Sequence, residues 1–213
     1  MIGGGCVSHG GCSIGRGRIL VVSAPSGSGK GTVIGKLLAI NPSVSLSISY
    51  TSRAPRVNEA EGEHYYFITK PRFEEMIDGG EFIEWDSYQC NYYGTSRQKI
   101  EQILASGADV VFDITIKGAY AIRNYYPHAA LVFIVPPSFE ELERRLKNRG
   151  TETDEKIKGR LAEARREILS LNRFDYVVIN DDAAKAGNCL NSILSAEKCR
   201  IDDAVAEGII NKL

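Results

Sequence analysis

The sequence lacks any apolar run approaching the ~20 residues that cross a bilayer, which argues against a membrane span. Met1 to Gly17 is rich in Gly and Ser and has no apolar h-region. It therefore reads as a flexible N-terminal extension and not as a secretory signal. Charge of one sign is also missing: 26 Lys and Arg against 27 Asp and Glu leave a net charge of −1. Such a chain has no global field to draw in nucleic acid or an anionic membrane. Any anion site must come from locally placed Arg and Lys. The five cysteines, Cys6, Cys12, Cys90, Cys189 and Cys199, are odd in number and form no C-x-x-C pair. That argues against a disulfide framework and for a reducing cytoplasm. Cys6, His9 and Cys12 match no common zinc spacing. There is no internal repeat and no low-complexity linker. What is present is ordinary globular composition, 43% apolar and 25% charged over 213 residues, enough for one compact domain.

Four short apolar, β-branched runs stand out: Arg18 to Ala24, Asp109 to Thr115, Leu131 to Val135 and Tyr176 to Asn180. They read as strands of a mostly parallel sheet buried on both faces. Val44 to Tyr50 alternates and reads as one strand; Tyr65 to Thr69 and Glu81 to Trp85 read as short ones. Helical spacing marks Thr32 to Ile40, Pro71 to Asp78, Ser96 to Ala105, a helix opening at Ser138, Asp154 to Leu171 and Asp182 to Lys198. Ser138 with Glu141 three residues on predicts a capping box. Arg53 to Glu63, with Pro55 and Gly62, reads as loop. The alternation of strand and helix predicts a doubly wound α/β fold.

The first strand runs into Ala24-Pro25-Ser26-Gly27-Ser28-Gly29-Lys30-Gly31-Thr32, and a predicted helix follows. That context defines a phosphate loop. Glycines let successive backbone N–H groups converge on a phosphate, the helix N-terminus adds partial positive charge, and Lys30 neutralises phosphate oxygens. Two positions depart from G-x-x-x-x-G-K-[ST]. Ala24 replaces the first Gly, and Gly31 stands where Ser or Thr usually meets magnesium, with Thr32 one place later. The alternative, a glycine-rich turn with an incidental lysine, fits the strand-loop-helix context poorly.

Three further segments speak to the acceptor. Ser49-Tyr50-Thr51-Ser52-Arg53-Ala54-Pro55-Arg56 sets two arginines three apart in a loop. Glu81-Phe82-Ile83-Glu84-Trp85 places a carboxylate on an apolar strand. Asn91-Tyr92-Tyr93-Gly94-Thr95 offers phenol and hydroxyl groups near a tight turn. Taken singly, each is compatible with solvated loop arginines, core-edge phenols or an outward carboxylate.

In this order after a phosphate loop, these segments resemble the guanylate kinases closely. The resemblance runs on through Asp113-Ile114, Pro136-Pro137-Ser138, Arg149 to Thr153 and Asn180-Asp181. It implies a P-loop nucleoside monophosphate kinase fold with a GMP-binding lobe and a helical lid. The expected core is 18–48, 107–137 and 174–198, the lobe about 49–106, the lid about 138–173, and the tail 199–213. The implied activity is transfer of the γ-phosphate of ATP to GMP with Mg2+, by a monomer or homodimer in the cytoplasm.

The resemblance also implies roles. Residues Ala24 to Thr32, with Asn180 and Asp181, would bind ATP, and Thr32 is the candidate hydroxyl for magnesium. Arg53 and Arg56, with Tyr65 and Tyr93, would clamp the GMP phosphate, as guanidinium forks suit a doubly charged phosphate. Glu84 would accept from guanine N1–H and the 2-amino group, with Ser49, Thr95 and Asp113 around the base. Adenine lacks those donors and would leave the carboxylate unpaired. Of the arginines between Ser138 and Leu171, the resemblance singles out Arg145, Arg149 and Arg160 as lid residues. With Lys30 and Arg53 they would form the catalytic set.

Family members commonly read Asp-Ile-Asp or Asp-Ile-Glu at Asp113, then Gln-Gly two residues on. Here Thr115 and Lys117 stand in place of the second acid and the Gln. That bears on one contact near the guanine site and on the magnesium arrangement. Two rivals remain at this stage. A non-catalytic guanylate-kinase-like module would bind phosphopeptides, but such modules usually have degraded phosphate loops, and Lys30 is kept here. A related P-loop kinase would use a phosphorylated-sugar acceptor, against which Glu84 with Ser49 argues for guanine.

Overall fold

The computed structural model describes residues 16–148, 153–201, 206 and 210. Cys6, His9, Cys12 and Arg149 lie outside the described residues. Strand β1 (Ile19–Ser23) is buried at every position, as a strand covered on both faces must be. Its side chains alternate between two cores. Leu20 and Val22 join Val33, Ile34 and Leu37 of α1 (Lys30–Ile40) and Leu190 and Leu194 of α7 (Ala183–Lys198). Ile19 and Val21 join Ile100 and Leu104 of α3 (Arg97–Ala105) and Ala119 and Ile122 of α4 (Ile116–Tyr125). Each such aliphatic side chain contributes about 1.5–3 kcal/mol when buried.

The sheet has the order β2-β7-β1-β8-β9, with β2 at Val44–Leu46, β7 at Asp109–Asp113, β8 at Ala130–Val135 and β9 at Tyr176–Ile179. Every neighbouring pair is parallel. The strand ends that follow β1, β7 and β9 therefore open on one edge. The order also reverses beside β1, and such switch points are where open α/β sheets bind ligands. Asp109, at the start of β7, accepts from the Arg18 backbone N–H at 2.9 Å and pairs with Lys198 at 2.6 Å, which ties α7 to the sheet.

A second, four-stranded sheet has the order β4-β3-β6-β5, from β3 (Tyr50–Thr51), β4 (Tyr66–Phe67), β5 (Phe82–Tyr88) and β6 (Asn91–Ser96). Helix α2 (Lys70–Asp78) covers it, with Phe73 stacked between Phe82 and Tyr92 at centroid distances of 4.4 and 5.3 Å. Helices α5 (Phe139–Asn148) and α6 (Asp154–Ile168) share a separate small core of Leu142, Leu146, Ile157 and Ala164. Among the described residues, no helix is long and apolar enough to cross a membrane.

Four local expectations change. Val44 to Tyr50 is not one strand: β2 joins the parallel sheet, whereas β3 joins the second. Alternation reports a half-buried strand but not its partner. Asn91 to Thr95 lies within β6, not merely beside a turn. The hairpin before it turns through Gln89 and Cys90, both left-handed at φ 48° and 63°, without the Asn-Gly signature that would announce it. Helix α4 has no counterpart in the sequence reading because Gly118 and β-branched residues blur its pattern. Its N-cap is Thr115, whose hydroxyl accepts from the Gly118 N–H at 3.2 Å. The Ser138 capping box is half-formed. Ser138 Oγ accepts from the Glu141 N–H at 3.2 Å, but the Glu141 carboxylate is taken by Arg144 and Arg145.

The crossing of α1 and α7 is close enough to exclude a methyl group at Gly187. A Cβ there would lie 2.6 Å from Lys36 Cβ and 3.2 Å from the Leu37 backbone nitrogen. Gly187→Ala should therefore destabilise the fold by about 1–3 kcal/mol. Gly35→Ala, in the facing helix α1 but with open space around it, should stabilise it by about 0.5–1 kcal/mol. Denaturant midpoints of the two variants check the pair, and equal shifts would refute the close crossing.

Candidate active site

The loop from Ala24 to Gly29 leaves β1 and enters α1 at the open edge of the parallel sheet. Gly27 and Gly29 both have positive φ, 94° and 83°, a conformation that side chains resist. Gly29 is also the N-cap of α1, so no side chain covers the first amides of the helix. The loop is held from behind through the carbonyl of Ser28. It accepts from Asn180 Nδ2 at 2.7 Å and from Arg145 Nη1 at 3.4 Å. Arg145 also donates to Asn180 O at 2.9 Å and to Glu141 at 2.7 Å. Asn180 is buried and turned onto the loop, whereas Asp181 next to it is exposed.

Lys30 reaches from the first turn of α1 to the end of β7. Its ammonium donates to Ile114 O at 2.9 Å and pairs with Asp113 at 2.8 Å. Gly31 faces the same carboxylate: a Cβ on it would lie 3.9 Å from Asp113 Oδ2. Thr32 lies elsewhere. It lines a cleft of about 320 Å³ with Gly27, Gly29, Arg145, Asn180 and Asp181. The hydroxyl singled out for magnesium is thus grouped with Asp181 and not with Asp113, because one residue along a helix rotates a side chain by about 100°. No group of three or more His, Cys, Asp or Glu that could hold a metal occurs among the described residues. Asp113 beside Gly31 and the Thr32 hydroxyl are oxygen donors of the kind that a hard cation takes.

The helical pair α5 and α6 rests on the loop. A Cβ on Gly27 would touch Leu142 and Leu146 at 3.0 and 2.9 Å, and Arg160 Nη1 donates to Ser26 Oγ at 3.3 Å. Arg145 and Arg160 both reach the phosphate loop.

The second sheet carries the other set. Arg53 forms a bidentate pair with Glu59 at 2.8 and 2.9 Å, and its guanidinium lies over the Tyr65 ring, 5.5 Å from the centroid. The Arg53 hydrogen bonds, followed by the Arg56 backbone N–H, hold the Glu59 carboxyl down at about 2. The same pairing raises the Arg53 pKa. Arg56 is exposed, and its backbone N–H donates to Glu59 at 2.8 Å. Tyr65 and Tyr93 meet edge to face at 5.9 Å, and burial pushes the Tyr65 phenol up. Arg53, Arg56, Tyr65 and Tyr93 therefore surround one loop, with Glu59 at its centre. Sequence reasoning passed over Glu59, although an acid three residues after Arg56 was a usable charge-pairing signal.

Glu84 is half-buried on β5, with Thr95 Oγ1 of β6 donating to it at 2.7 Å. Burial pushes its carboxyl up, the Thr95 hydrogen bond opposes that, Asp86 adds to it and Lys117 subtracts. Glu84 and Thr115 line a cleft of about 220 Å³ with Asp86, Lys117 and Gly118. Lys117 pairs with Asp86 at 3.0 Å. The two departures from the family pattern thus have local work: Thr115 caps α4, and Lys117 puts a cation beside Glu84. Ser49 lies where the chain enters β3, its carbonyl accepting from the Tyr66 N–H at 2.9 Å.

A glycine loop, a lysine, arginines arriving from two directions and a desolvated carboxylate are the parts of a two-substrate phosphoryl-transfer site. The profile of the family described as Guanylate kinase matches residues 16–197. The guanylate kinase of Desulfitobacterium hafniense is 44% identical over 185 residues, covering 87% of this chain and 92% of that protein. The guanylate kinase of Vibrio vulnificus is 45% identical over 196 residues, covering 91% and 95%. The crystal structure of guanylate kinase from Anaplasma phagocytophilum superposes with a TM-score of 0.70 at 34% identity, covering 87% of this chain and 88% of that one. Because the match takes in the phosphate loop, the arginine turn, Glu84 and the helices over the loop, this chain belongs to the guanylate kinase family.

Proposed function

We infer that this chain transfers the γ-phosphate of ATP to GMP, giving ADP and GDP. One observation carries the reading: besides the phosphate loop with Lys30, the chain holds a second arginine centre, at Arg53, on a sheet that also bears the half-buried Glu84 carboxylate. ATP would occupy the glycine loop, with Lys30, Arg145 and Arg160 meeting its phosphates. Asp181 and Thr32 would line the approach to its base. GMP would occupy the second sheet, its phosphate taken by Arg53, Arg56, Tyr65 and Tyr93. Its base would be read by Glu84 with Thr95 and Ser49. Arg149 belongs to this proposal as a further lid cation on the strength of the family resemblance alone.

Phosphoryl transfer passes through a loose transition state with charge on the equatorial oxygens, so catalysis is positioning and electrostatics. Lys30 and the arginines of α5 and α6 neutralise that charge, and Arg53 and Arg56 hold the acceptor in line. Magnesium, brought in with ATP, would add charge neutralisation, and Asp113 beside Gly31 or the Thr32 hydroxyl would hold it. Closure of α5 and α6 would exclude water, which would otherwise hydrolyse ATP. The substrates and the free cysteines Cys90, Cys189 and Cys199 support a cytoplasmic setting. The phosphopeptide-module reading is not favoured, because the loop keeps Lys30 and leads into a helix N-terminus that no side chain caps.

Replacing Lys30 with Met should lower turnover by on the order of 10²–10³ with the fold intact. Near-normal turnover in a folded variant would remove the loop from the mechanism.

Base choice rests on Glu84. Glu84→Gln places an NH₂ donor against a guanine N–H, so the specificity constant for GMP should fall by about 1–3 kcal/mol while that for AMP changes little. Glu84 must be ionised to accept both guanine donors, and its pKa lies above the ordinary carboxylate value. The KM for GMP should therefore rise as pH falls towards that raised pKa, and Glu84→Gln should abolish this acid limb. A pH series of both constants, wild type against variant, decides the matter; an unchanged GMP-to-AMP ratio would exclude Glu84 as the base reader.

Small-angle scattering tests closure. The radius of gyration should shrink when GMP and a non-hydrolysable ATP analogue are both present, and an unchanged radius would contradict a closing lid.

A further inference from the structure

Strand β5 carries two carboxylates on one face, Glu84 and Asp86, beyond the irregularity between Phe82 and Glu84. Both are held. Glu84 Oε1 accepts from Thr95 Oγ1 at 2.7 Å. Asp86 Oδ1 accepts from the Ser87 N–H at 2.9 Å, and Asp86 Oδ2 pairs with the Lys117 ammonium at 3.0 Å. Lys117 comes from the other layer of the molecule. It lies in the first turn of α4, the helix that follows β7 of the parallel sheet. That turn also rests against the Glu84 carboxylate: a Cβ on Gly118 would lie 3.5 Å from Glu84 Oε2. Glu84, Asp86, Thr115 and Lys117 line one cleft of about 220 Å³ between β5 and α4. The side chains of Lys117 and Asp86 are 76% and 51% exposed, so the pair adds little to folding stability. Its place is what distinguishes it. It ties the second sheet to a helix of the parallel layer, beside Glu84 on the same strand face.

We propose that Lys117 is a positioning residue for base recognition: by pairing with Asp86 it straps the strand that bears Glu84 to the first turn of α4, so that the base carboxylate is held in place for GMP. The inference rests on the reading of Glu84 as the base reader. Strand β5 is an edge strand, with β6 as its one strand neighbour. Thr95 of β6 fixes Glu84 from within the sheet, and Lys117 fixes the strand from the opposite side. Without the strap, GMP binding would also have to order β5 against α4, and that cost lowers affinity. The strap acts on Glu84, not on Lys30 or Arg53, so its effect falls on GMP affinity and not on the transfer step.

The test is steady-state kinetics of the full chain, with GMP varied at saturating ATP and then ATP varied at saturating GMP. Lys117→Met keeps much of the aliphatic stem and removes the charge. It should raise the KM for GMP about 2- to 5-fold while kcat and the KM for ATP stay at wild-type values, and the gap should close as salt rises. Asp86→Asn should raise the KM for GMP by a similar factor. The double variant should be no worse than either single one, since both changes remove the same pair. Lys117→Arg should keep the wild-type KM. A cation that merely draws in the anionic nucleotide makes a different forecast, a lower KM for GMP in Asp86→Asn. An unchanged KM in Lys117→Met, a lowered KM in Asp86→Asn, additive losses in the double variant or a fall in kcat without a change in KM overturns the proposal. A wild type that uses GMP no better than AMP overturns instead the reading of Glu84, and the strap's role with it.

Discussion

A loop that binds phosphate must keep its backbone amides unpaired, and an unpaired amide is a cost that the rest of the molecule has to carry. Here the loop is gripped through its carbonyl side instead. The Ser28 carbonyl accepts from Asn180 and Arg145, its N–H donates back to Pro25 O at 3.1 Å, Gly27 and Gly29 hold left-handed backbone, and the helix N-terminus stays uncapped by any side chain. Asn180 can reach Ser28 because β9 ends beside the loop. Arg145 can because α5 lies over Gly27 without room for a side chain between them. The parallel sheet, the last strand and the helical pair are all needed to hold one short turn open.

The same economy governs charge. A site for two polyphosphates collects cations, and cations crowded together repel. In this structure three of them are neutralised locally, Lys30 by Asp113, Arg53 by Glu59 and Arg145 by Glu141. The pairs are partly exposed, so they add little to stability. Their value is positional: a guanidinium held by a bidentate carboxylate is already oriented. A phosphate then takes over part of that pairing without having to order the side chain. Glu59 illustrates this, since it fixes Arg53 through its side chain and Arg56 through its backbone N–H.

Base reading follows different physics. Glu84 is partly desolvated and has one neutral donor, Thr95, so most of its accepting capacity is left for a ligand. A base with two adjacent donors gains by filling it, and a base with none leaves it unpaired. Lys117 and Asp86 at the rim act on the same carboxyl with opposite signs. The loss of the second acid at Thr115 thus removes a like charge from Glu84, and Lys117 adds an opposite one.

By itself the sequence determined the parallel core, because fully buried strands must be continuously apolar. It also determined the phosphate loop, because its glycines and lysine are covalently consecutive. The arginine turn and Glu84 were legible by resemblance. The tertiary structure decided which groups meet. Val44 to Tyr50 divides between two sheets because alternation does not name a partner strand. Asn180 turns onto Ser28, Thr32 shares a cleft with Asp181, and Glu59 claims Arg53, because each depends on residues distant in sequence or on the exact rotation of a helix. Local patterning records what a segment buries. Pairing between charges brought together only by folding leaves no periodic trace in the chain.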